Sequence, residues 1–279
     1  MLQYRRVVIV GVGLLGGSFG LALRHRGLAE SIVGVGRNEA TLRQAAARGA
    51  ITEFSLNLET ACKSADLVVI GTPVQSIAEF VRQAFAAQLL PNCLVTDVGS
   101  TKLNICQQLS DLSYGRFCGS HPMAGGEKTG VAYASHDLFL GRRTIITPTS
   151  NTLAETIQQT DQLWRSLGSD VVRMSPQEHD RAVASVSHLP HLVASALAAS
   201  TAPELIPLTA SGWQDTTRVA AGDVEMWRQI ISENREPILS ALRGFSDALA
   251  GWITAIERDN QEAITALLEK GKSMRDSAL

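Results

Sequence analysis

Short, uninterrupted apolar runs alternate with longer amphipathic stretches along the first part of the chain. Apolar runs of this length are typical of strands in a parallel sheet, which is buried on both faces. We predict strands at residues 7–10, 31–35, 66–70, 93–97, 143–147 and 170–174, and helices at about 14–24, 76–89 and 153–167. Strands that alternate with helices predict an α/β domain with a doubly wound sheet.

The pattern becomes purely helical from Ser175 onward. Ser175-Pro176-Gln177-Glu178 has the form of a capping box with proline at the first helical position. Further on, apolar residues recur at spacings of three and four and give one helix an apolar stripe: Ile238, Leu242, Phe245, Leu249, Trp252 and Ile256. We predict two domains, residues 1–174 and residues 175–279, and expect the striped helical domain to form a homodimer.

Composition and charge exclude several classes of protein. A formal net charge of -2 over 279 residues, without a long basic run, argues against DNA or RNA as a partner. The four cysteines form no C-x-x-C motif and lie in or beside apolar runs, as reduced core thiols do, which favours a cytoplasmic location. Residues 7–23 have the apolar character of a membrane anchor, but five glycines interrupt them. They are also shorter than the roughly 20 residues that a membrane helix needs, so we expect no membrane association.

The first predicted strand and helix are joined by the glycine-rich segment Gly11-Val12-Gly13-Leu14-Leu15-Gly16. In such a strand-turn-helix the first glycine opens a tight turn, the second lets the backbone approach a pyrophosphate, and the third allows close packing of helix on strand. The helix N-terminus, at Leu14 and Leu15, offers free N–H groups to the phosphates. The segment therefore predicts a Rossmann-type dinucleotide-binding domain.

The end of the second predicted strand indicates which dinucleotide is bound. Gly36-Arg37-Asn38 stands where NAD-preferring domains place a carboxylate that binds the ribose hydroxyls. The Arg37 guanidinium can pair with a 2′-phosphate and stack on adenine, so we predict NADP as the cofactor; the alternative is a solvated surface arginine. The loops after the next two strands should line the nicotinamide half, through Thr72, Pro73, Val74, Gly99 and Ser100.

Five motifs occur in order along the chain: residues 11–16, 97–102 (DVGSTK), 119–127 (GSHPMAGGE), 187–191 (SHLPH), and 215–218 (DTTR) followed by 226–228 (MWR). On these segments the sequence resembles the prephenate and arogenate dehydrogenases of tyrosine biosynthesis. The resemblance spans nearly the whole chain. It implies a Rossmann-type doubly wound nucleotide-binding domain followed by an all-α dimerisation domain, in a form with this single activity.

The substrate that the resemblance implies is a cyclohexadiene with a ring carboxylate and a hydroxyl at the opposite carbon. Its oxidation releases CO₂ and creates an aromatic ring, which requires a hydride acceptor, a group that accepts the hydroxyl proton, and a cation for the carboxylate. His121 follows a predicted strand at residues 117–119, and a neutral imidazole there can accept the proton. The resemblance implies that Ser100 orients this imidazole or bridges it to the substrate hydroxyl.

The resemblance also implies a set of substrate-binding residues. Arg218 would grip a substrate carboxylate, His191 would face the substrate, and Glu127 and Asp215 could form an ionic lattice with Arg218. Arg218 could otherwise pair with Asp215 at the surface. His188 and His191 lie three residues apart on a helix kinked by the proline between them, so they share a face, and one of them could merely satisfy backbone carbonyls. Their spacing and the lack of a third ligand disfavour a metal, and we expect none.

Arogenate carries an ammonium where prephenate has a keto group. Glu127 is a candidate partner for that ammonium, and within the family NADP use often accompanies arogenate, so we expect oxidation of L-arogenate to L-tyrosine. Prephenate dehydrogenase and dual cyclohexadienyl dehydrogenase are the alternatives, because Gly126 stands where some relatives have a hydroxyl residue.

Two hypotheses lie outside this family. A β-hydroxyacid dehydrogenase would need a catalytic lysine on the first long helix of the second domain, and residues 177–200 contain no lysine. A non-catalytic NADP-binding sensor would bind nucleotide without turnover.

Overall fold

A single twisted sheet organises the first domain. The computed structural model describes residues 3–111, 115–126 and 128–277, and in this part of the chain eight strands lie in the order β3-β2-β1-β4-β5-β6-β7-β8. The strands are β1 (Tyr4–Val10), β2 (Ala29–Val35), β3 (Glu53–Ser55), β4 (Leu67–Ile70), β5 (Leu94–Asp97), β6 (Phe117–Pro122), β7 (Arg143–Thr147) and β8 (Asp170–Arg173). The helices around them are α1 (Leu14–His25), α2 (Glu39–Ala47), α3 (Leu58–Cys62), α4 (Ile77–Ala86), α5 (Leu103–Gln108) and α6 (Ala154–Ser166).

Alternate residues of the central strand β1 pack into different halves of the core. Val7 and Ile9 belong to one buried cluster, which also holds Phe19 and Trp164, while Val8 and Val10 belong to the other. Successive side chains of a strand point to opposite faces, so an all-apolar strand is what a sheet covered on both faces requires. The predicted doubly wound α/β architecture is confirmed, and β1 lies at its switch point, between β2 and β4.

The far edge of the sheet departs from the parallel pattern. β7 runs antiparallel to β6 and pairs with it from Gly119 to Pro122, whereas β5 pairs only with the two residues at the start of β6. Our prediction that the strand ends at residue 119, with His121 after it, is wrong. The strand continues because β7 satisfies the backbone groups that β5 leaves free. The sequence pattern also gave no indication of β3, α2, α3 or α5.

The second domain is helical throughout its described part. Its helices are α7 (Pro176–Val183), α8 (Leu189–Ser200), α9 (Ser211–Thr217), α10 (Val224–Glu233), α11 (Arg235–Glu257) and α12 (Gln261–Asp276). The capping box is confirmed, because Ser175 accepts from the Glu178 N–H and the Glu178 carboxylate accepts from the Ser175 N–H. A π-helical turn, Ala184–His188, joins α7 to α8, so the proline enters at the first turn of α8.

Two segments of the helical domain are strongly apolar. Among the described helices, the continuous helix Pro176–Ser200 is the one that length and composition alone would allow to cross a membrane. It packs against α5 and α11 here. The stripe on α11 is buried at its start, where Ile238 is 2% exposed, and becomes exposed toward its end, where Ile256 is 62% exposed. The distal half of that stripe therefore lies open in the single chain.

Candidate active site

The glycine-rich turn has the geometry that a dinucleotide requires. Gly11 has φ +88°, and a Cβ there would lie 2.7 Å from the Gly71 backbone, so this position admits only glycine without strain. A Cβ on Gly16 would collide with the Gly11 carbonyl oxygen. A Cβ on Gly13, by contrast, would meet nothing within 4 Å. Space is therefore left open at the N-terminus of α1, beside Leu14 and Leu15, where a pyrophosphate can bind.

The remaining predicted cofactor residues lie at the carboxyl ends of β2, β4 and β5. Arg37 is exposed, and Asn38 beside it caps α2 by accepting from the Thr41 N–H. In the loop after β4 the Thr72 hydroxyl is buried and has no partner among the described residues. An unpartnered buried hydroxyl in this crevice is a group that a bound ligand can satisfy. These features fit a nicotinamide dinucleotide.

An open cleft lies between the N-terminus of α1 and the loop after β6. It is lined by Leu14, Gly125, Gly126, Lys128, Tyr133 and Leu138. The Lys128 ammonium sits 5.1 Å from the Tyr133 ring centroid. Ligands of open α/β sheets bind in the crevice at the carboxyl ends of the strands, which is where this cleft lies.

His121 is joined to the helical domain through a line of polar side chains. It is 7% exposed, and its Nδ1 lies 2.8 Å from Nε2 of His179 on α7. The His179 Nδ1 lies 2.7 Å from Oδ1 of Asp180. Asp180 also accepts hydrogen bonds from the backbone N–H groups of Lys102 and Leu103 at the start of α5. The partner that orients His121 is thus His179, and a bridging role for Ser100 stays a prediction.

Burial keeps the histidines of this site neutral. Desolvation holds the pKa of His121 well below 6.5, and the neighbouring His179 and Lys102 lower it further. Burial also lowers the pKa of His179, against the opposing hydrogen bond to Asp180, and it lowers the pKa of His188 to about 4. A neutral His121 has one ring nitrogen with a free lone pair, so it is able to accept a proton at pH 7.

A fully buried ion pair lies behind His121. Lys102 and Asp97 are both 0% exposed, and the lysine ammonium donates to the Asp97 carboxylate. Asp97 also accepts from the backbone N–H of Gly99 and of Ser120. The pair therefore ties the loop that carries Ser100 to the residue that precedes His121.

His188 and His191 both contact Trp227, as residues on one helix face can. The His191 ring stacks on the indole at 3.5 Å, and His188 meets the same ring edge-on. Asn234 donates to Nδ1 of His188, which leaves the hydrogen of this neutral ring on Nε2. The His188 Nε2 and the His191 Nδ1 are buried without partners in the described structure. Both atoms are therefore candidates to contact substrate.

The other predicted site residues lie at the surface or outside the described residues. Asp215 lies on α9 and Arg218 directly follows this helix, and both residues are exposed. Glu127 lies outside the described residues. No group of three or more His, Cys, Asp or Glu side chains that could hold a metal ion occurs in the described ranges.

His179 and Asp180 are not among the site residues predicted from the sequence. A signal for them exists, because the buried face of α7 consists of His179, Asp180 and Val183. A helix that buries two ionisable residues beside a single apolar one needs polar partners for them in another element.

A dinucleotide turn and a buried neutral histidine on one sheet define a dinucleotide-dependent oxidoreductase. Comparison with known proteins gives the family. The model for the prephenate dehydrogenase nucleotide-binding domain matches residues 19–173, and the model for the prephenate dehydrogenase dimerization domain matches residues 175–270. The chain belongs to the prephenate/arogenate dehydrogenase family, as the resemblance implied.

Individual relatives agree with this assignment. A prephenate dehydrogenase of Bacillus subtilis is 31% identical over 97% of this chain and 75% of its own length. The crystal structure of Aquifex aeolicus prephenate dehydrogenase with hydroxyphenyl propionate and NAD+ is 34% identical, with a TM-score of 0.91 over 99% of this chain and 98% of that one. Synechocystis arogenate dehydrogenase is 30% identical, with a TM-score of 0.83 over 98% and 100% of the two chains. The chain is therefore an enzyme of this family that uses a nicotinamide cofactor.

Proposed function

We propose that the chain oxidises and decarboxylates L-arogenate to L-tyrosine with NADP+. The observation that carries the proposal is His121, a buried and neutral histidine whose Nδ1 is engaged by His179. Its other ring nitrogen accepts the proton of the substrate hydroxyl. When bound, the nicotinamide would take the hydride from the carbon that bears this hydroxyl. Loss of CO₂ and aromatisation make the reaction irreversible.

The other residues bind and orient the substrate. Ser100 lies in the loop that the Lys102–Asp97 pair fixes, and it would bridge His121 to the substrate hydroxyl. Arg218 would bind a substrate carboxylate in bidentate fashion, with Asp215 and Glu127 around it. His191 is buried against Trp227 and offers an unpartnered ring nitrogen. It is our candidate for a second contact with the substrate.

Arg37 supports the choice of NADP+. It is exposed, the residues on either side of it are Gly36 and Asn38 rather than acids, and a guanidinium there is suited to a 2′-phosphate. Replacement of Arg37 by Asp should lower kcat/KM for NADP+ by about 10- to 100-fold, because a hydrogen bond to a charged group is worth about 1.5–3 kcal/mol. Arg43, exposed on the following helix and paired with Glu39, is the control position. An unchanged NADP+/NAD+ ratio in Arg37→Asp would refute the assignment.

We choose arogenate as the substrate because, in the family that the sequence resembles, NADP use often accompanies arogenate. Glu127 is the candidate partner for the ammonium that distinguishes arogenate from prephenate. Prephenate is the second candidate. The curated relatives from Bacillus subtilis and Lactococcus lactis, at 31% and 30% identity, both carry the name prephenate dehydrogenase.

The test is the absorbance of the reduced nicotinamide, with arogenate and prephenate each crossed against NADP+ and NAD+. Turnover with arogenate and NADP+ alone supports the whole proposal. Turnover with prephenate keeps the reaction and overturns the substrate choice. Nucleotide binding without turnover in any pairing would favour the sensor hypothesis.

We also infer that the chain forms a homodimer through its helical domain. The exposed end of the α11 stripe supports this, since Leu249 and Ile256 are 47% and 62% exposed, and the adjacent Ile253 on the same helix is 57% exposed. Light scattering should give twice the mass of 29.9 kDa. Replacement of Ile253 and Ile256 by Lys should shift the protein to a monomer, and a monomeric wild type would contradict the inference.

A further inference from the structure

The polar line behind His121 crosses from one domain to the other. Its members are Asp180 and His179 on α7 and His121 on β6, with contacts of 2.7 and 2.8 Å between neighbouring ring or carboxylate atoms. All three are buried, at 1%, 0% and 7% exposure. A buried polar group without a partner is costly, so each hydrogen in this line must have a defined place.

The position of each hydrogen follows from donors and acceptors. The Asp180 carboxylate can only accept, and it already accepts from two backbone N–H groups, so His179 must donate to it from Nδ1. A neutral His179 then has a lone pair on Nε2 and accepts from His121. His121 therefore carries its hydrogen on Nδ1, and its Nε2 has the lone pair.

A doubly protonated His179 would reverse this order, because it would donate to Nδ1 of His121. Two observations oppose that state. The His179 ring is completely buried, and burial lowers its pKa. The buried Lys102 ammonium, which contributes to lowering the pKa of both rings, adds a further cost to a second cation here.

We propose that His179, held by Asp180, is a positioning residue that fixes His121 as the Nδ1–H tautomer and so leaves Nε2 as the proton acceptor. This inference rests on the proposed function for its catalytic consequence. In this arrangement a residue of the helical domain positions the catalytic histidine of the nucleotide-binding domain. Asp180 binds the first backbone N–H groups of α5, and Asn234 at the junction of α10 and α11 donates to the Asp180 carbonyl oxygen. Helices of both domains therefore hold the base in place.

The first test does not depend on any substrate. Histidine labelled with ¹⁵N allows the tautomer of each ring to be read by NMR, and the His121 signals are those lost in His121→Asn. We expect the Nδ1–H tautomer in the wild type. We expect His179→Leu, which removes the acceptor, to shift His121 toward Nε2–H or a mixture, and His179→Gln, whose amide oxygen can accept, to keep the wild-type form.

The second test separates positioning from a merely structural role. With the substrate that turns over, His179→Leu should lower kcat by about 100-fold, the lower end of what a general base contributes, with little change in KM. His179→Gln should recover most of the loss. Val81→Ala, a buried truncation on α4, is the control for reduced stability and should leave kcat unchanged.

The outcomes are distinct. An Nε2–H tautomer of His121 in the wild type overturns the inference. So does an unchanged tautomer in His179→Leu. If the tautomers behave as expected but no substrate turns over, the positioning role holds and the proposed function fails.

Discussion

The crevice has two ends, the glycine-rich turn and the region around His121, and different features determine their structures. At the cofactor end, glycines are required: Gly11 and Gly16 leave no room for a Cβ, and Gly13 leaves room for a ligand. The end around His121 depends on side chains that are present, buried and mutually paired, such as Lys102 with Asp97. The local backbone conformation determines the glycine turn, whereas the paired polar side chains around His121 come from elements that lie far apart in the sequence. The two ends should therefore fail in different ways when altered.

The largest expected effect comes from the base itself. His121→Asn removes the proton acceptor, and kcat should fall by about 10²- to 10⁴-fold, the range that general acid–base catalysis contributes. NADP+ affinity, measured by fluorescence titration, should stay near the wild-type value because the cofactor end is untouched. Equal losses in kcat and in nucleotide affinity would show that the two ends are not independent.

The buried ion pair gives the next largest effect, on stability. Lys102→Met leaves the Asp97 charge buried without compensation and should lower the free energy of unfolding by about 3–5 kcal/mol. The double variant Lys102→Met/Asp97→Asn should be less destabilised than the sum of the two single variants, because it removes the unpaired charge. Urea denaturation measures all four proteins. Strict additivity would mean that the two side chains do not interact.

A matched pair of glycine variants tests the cofactor end. Gly11→Ala places a side chain at positive φ against the Gly71 backbone, so it should lose about 1–3 kcal/mol of stability as well as nucleotide affinity. Gly13→Ala meets no protein atom and should unfold like the wild type, yet bind NADP+ more weakly. Thermal melts with and without nucleotide distinguish the two. Equal melting temperatures without nucleotide would contradict the steric argument.

The same contrast explains how much could be predicted from the sequence. The glycine turn, the buried strands and the capping box of α7 are local patterns, and the structure confirms them. The extension of β6 to Pro122 depends on a partner strand more than twenty residues further along the chain. No local sequence pattern predicts this extension. The role of His179 and Asp180 depends on their contacts with His121 and α5, which lie on the other domain, so it could not be predicted from the residues around them in the sequence.

The smallest expected effect concerns pH and lies entirely at the histidine end. Burial lowers the pKa of His188 from an ordinary 6.5 to about 4. As the pH falls from 6.5 toward 4, His188 takes up a proton in the unfolded chain but not in the folded protein. The free energy of unfolding therefore decreases across this window and not above it. His188 alone should contribute on the order of 1 kcal/mol between pH 6.5 and 5.5, because one pKa unit corresponds to about 1.36 kcal/mol. His188→Gln should therefore show a shallower decline in its free energy of unfolding than the wild type over this interval, whatever its stability at pH 7. Parallel declines would mean that burial does not lower the pKa of His188 in the folded protein.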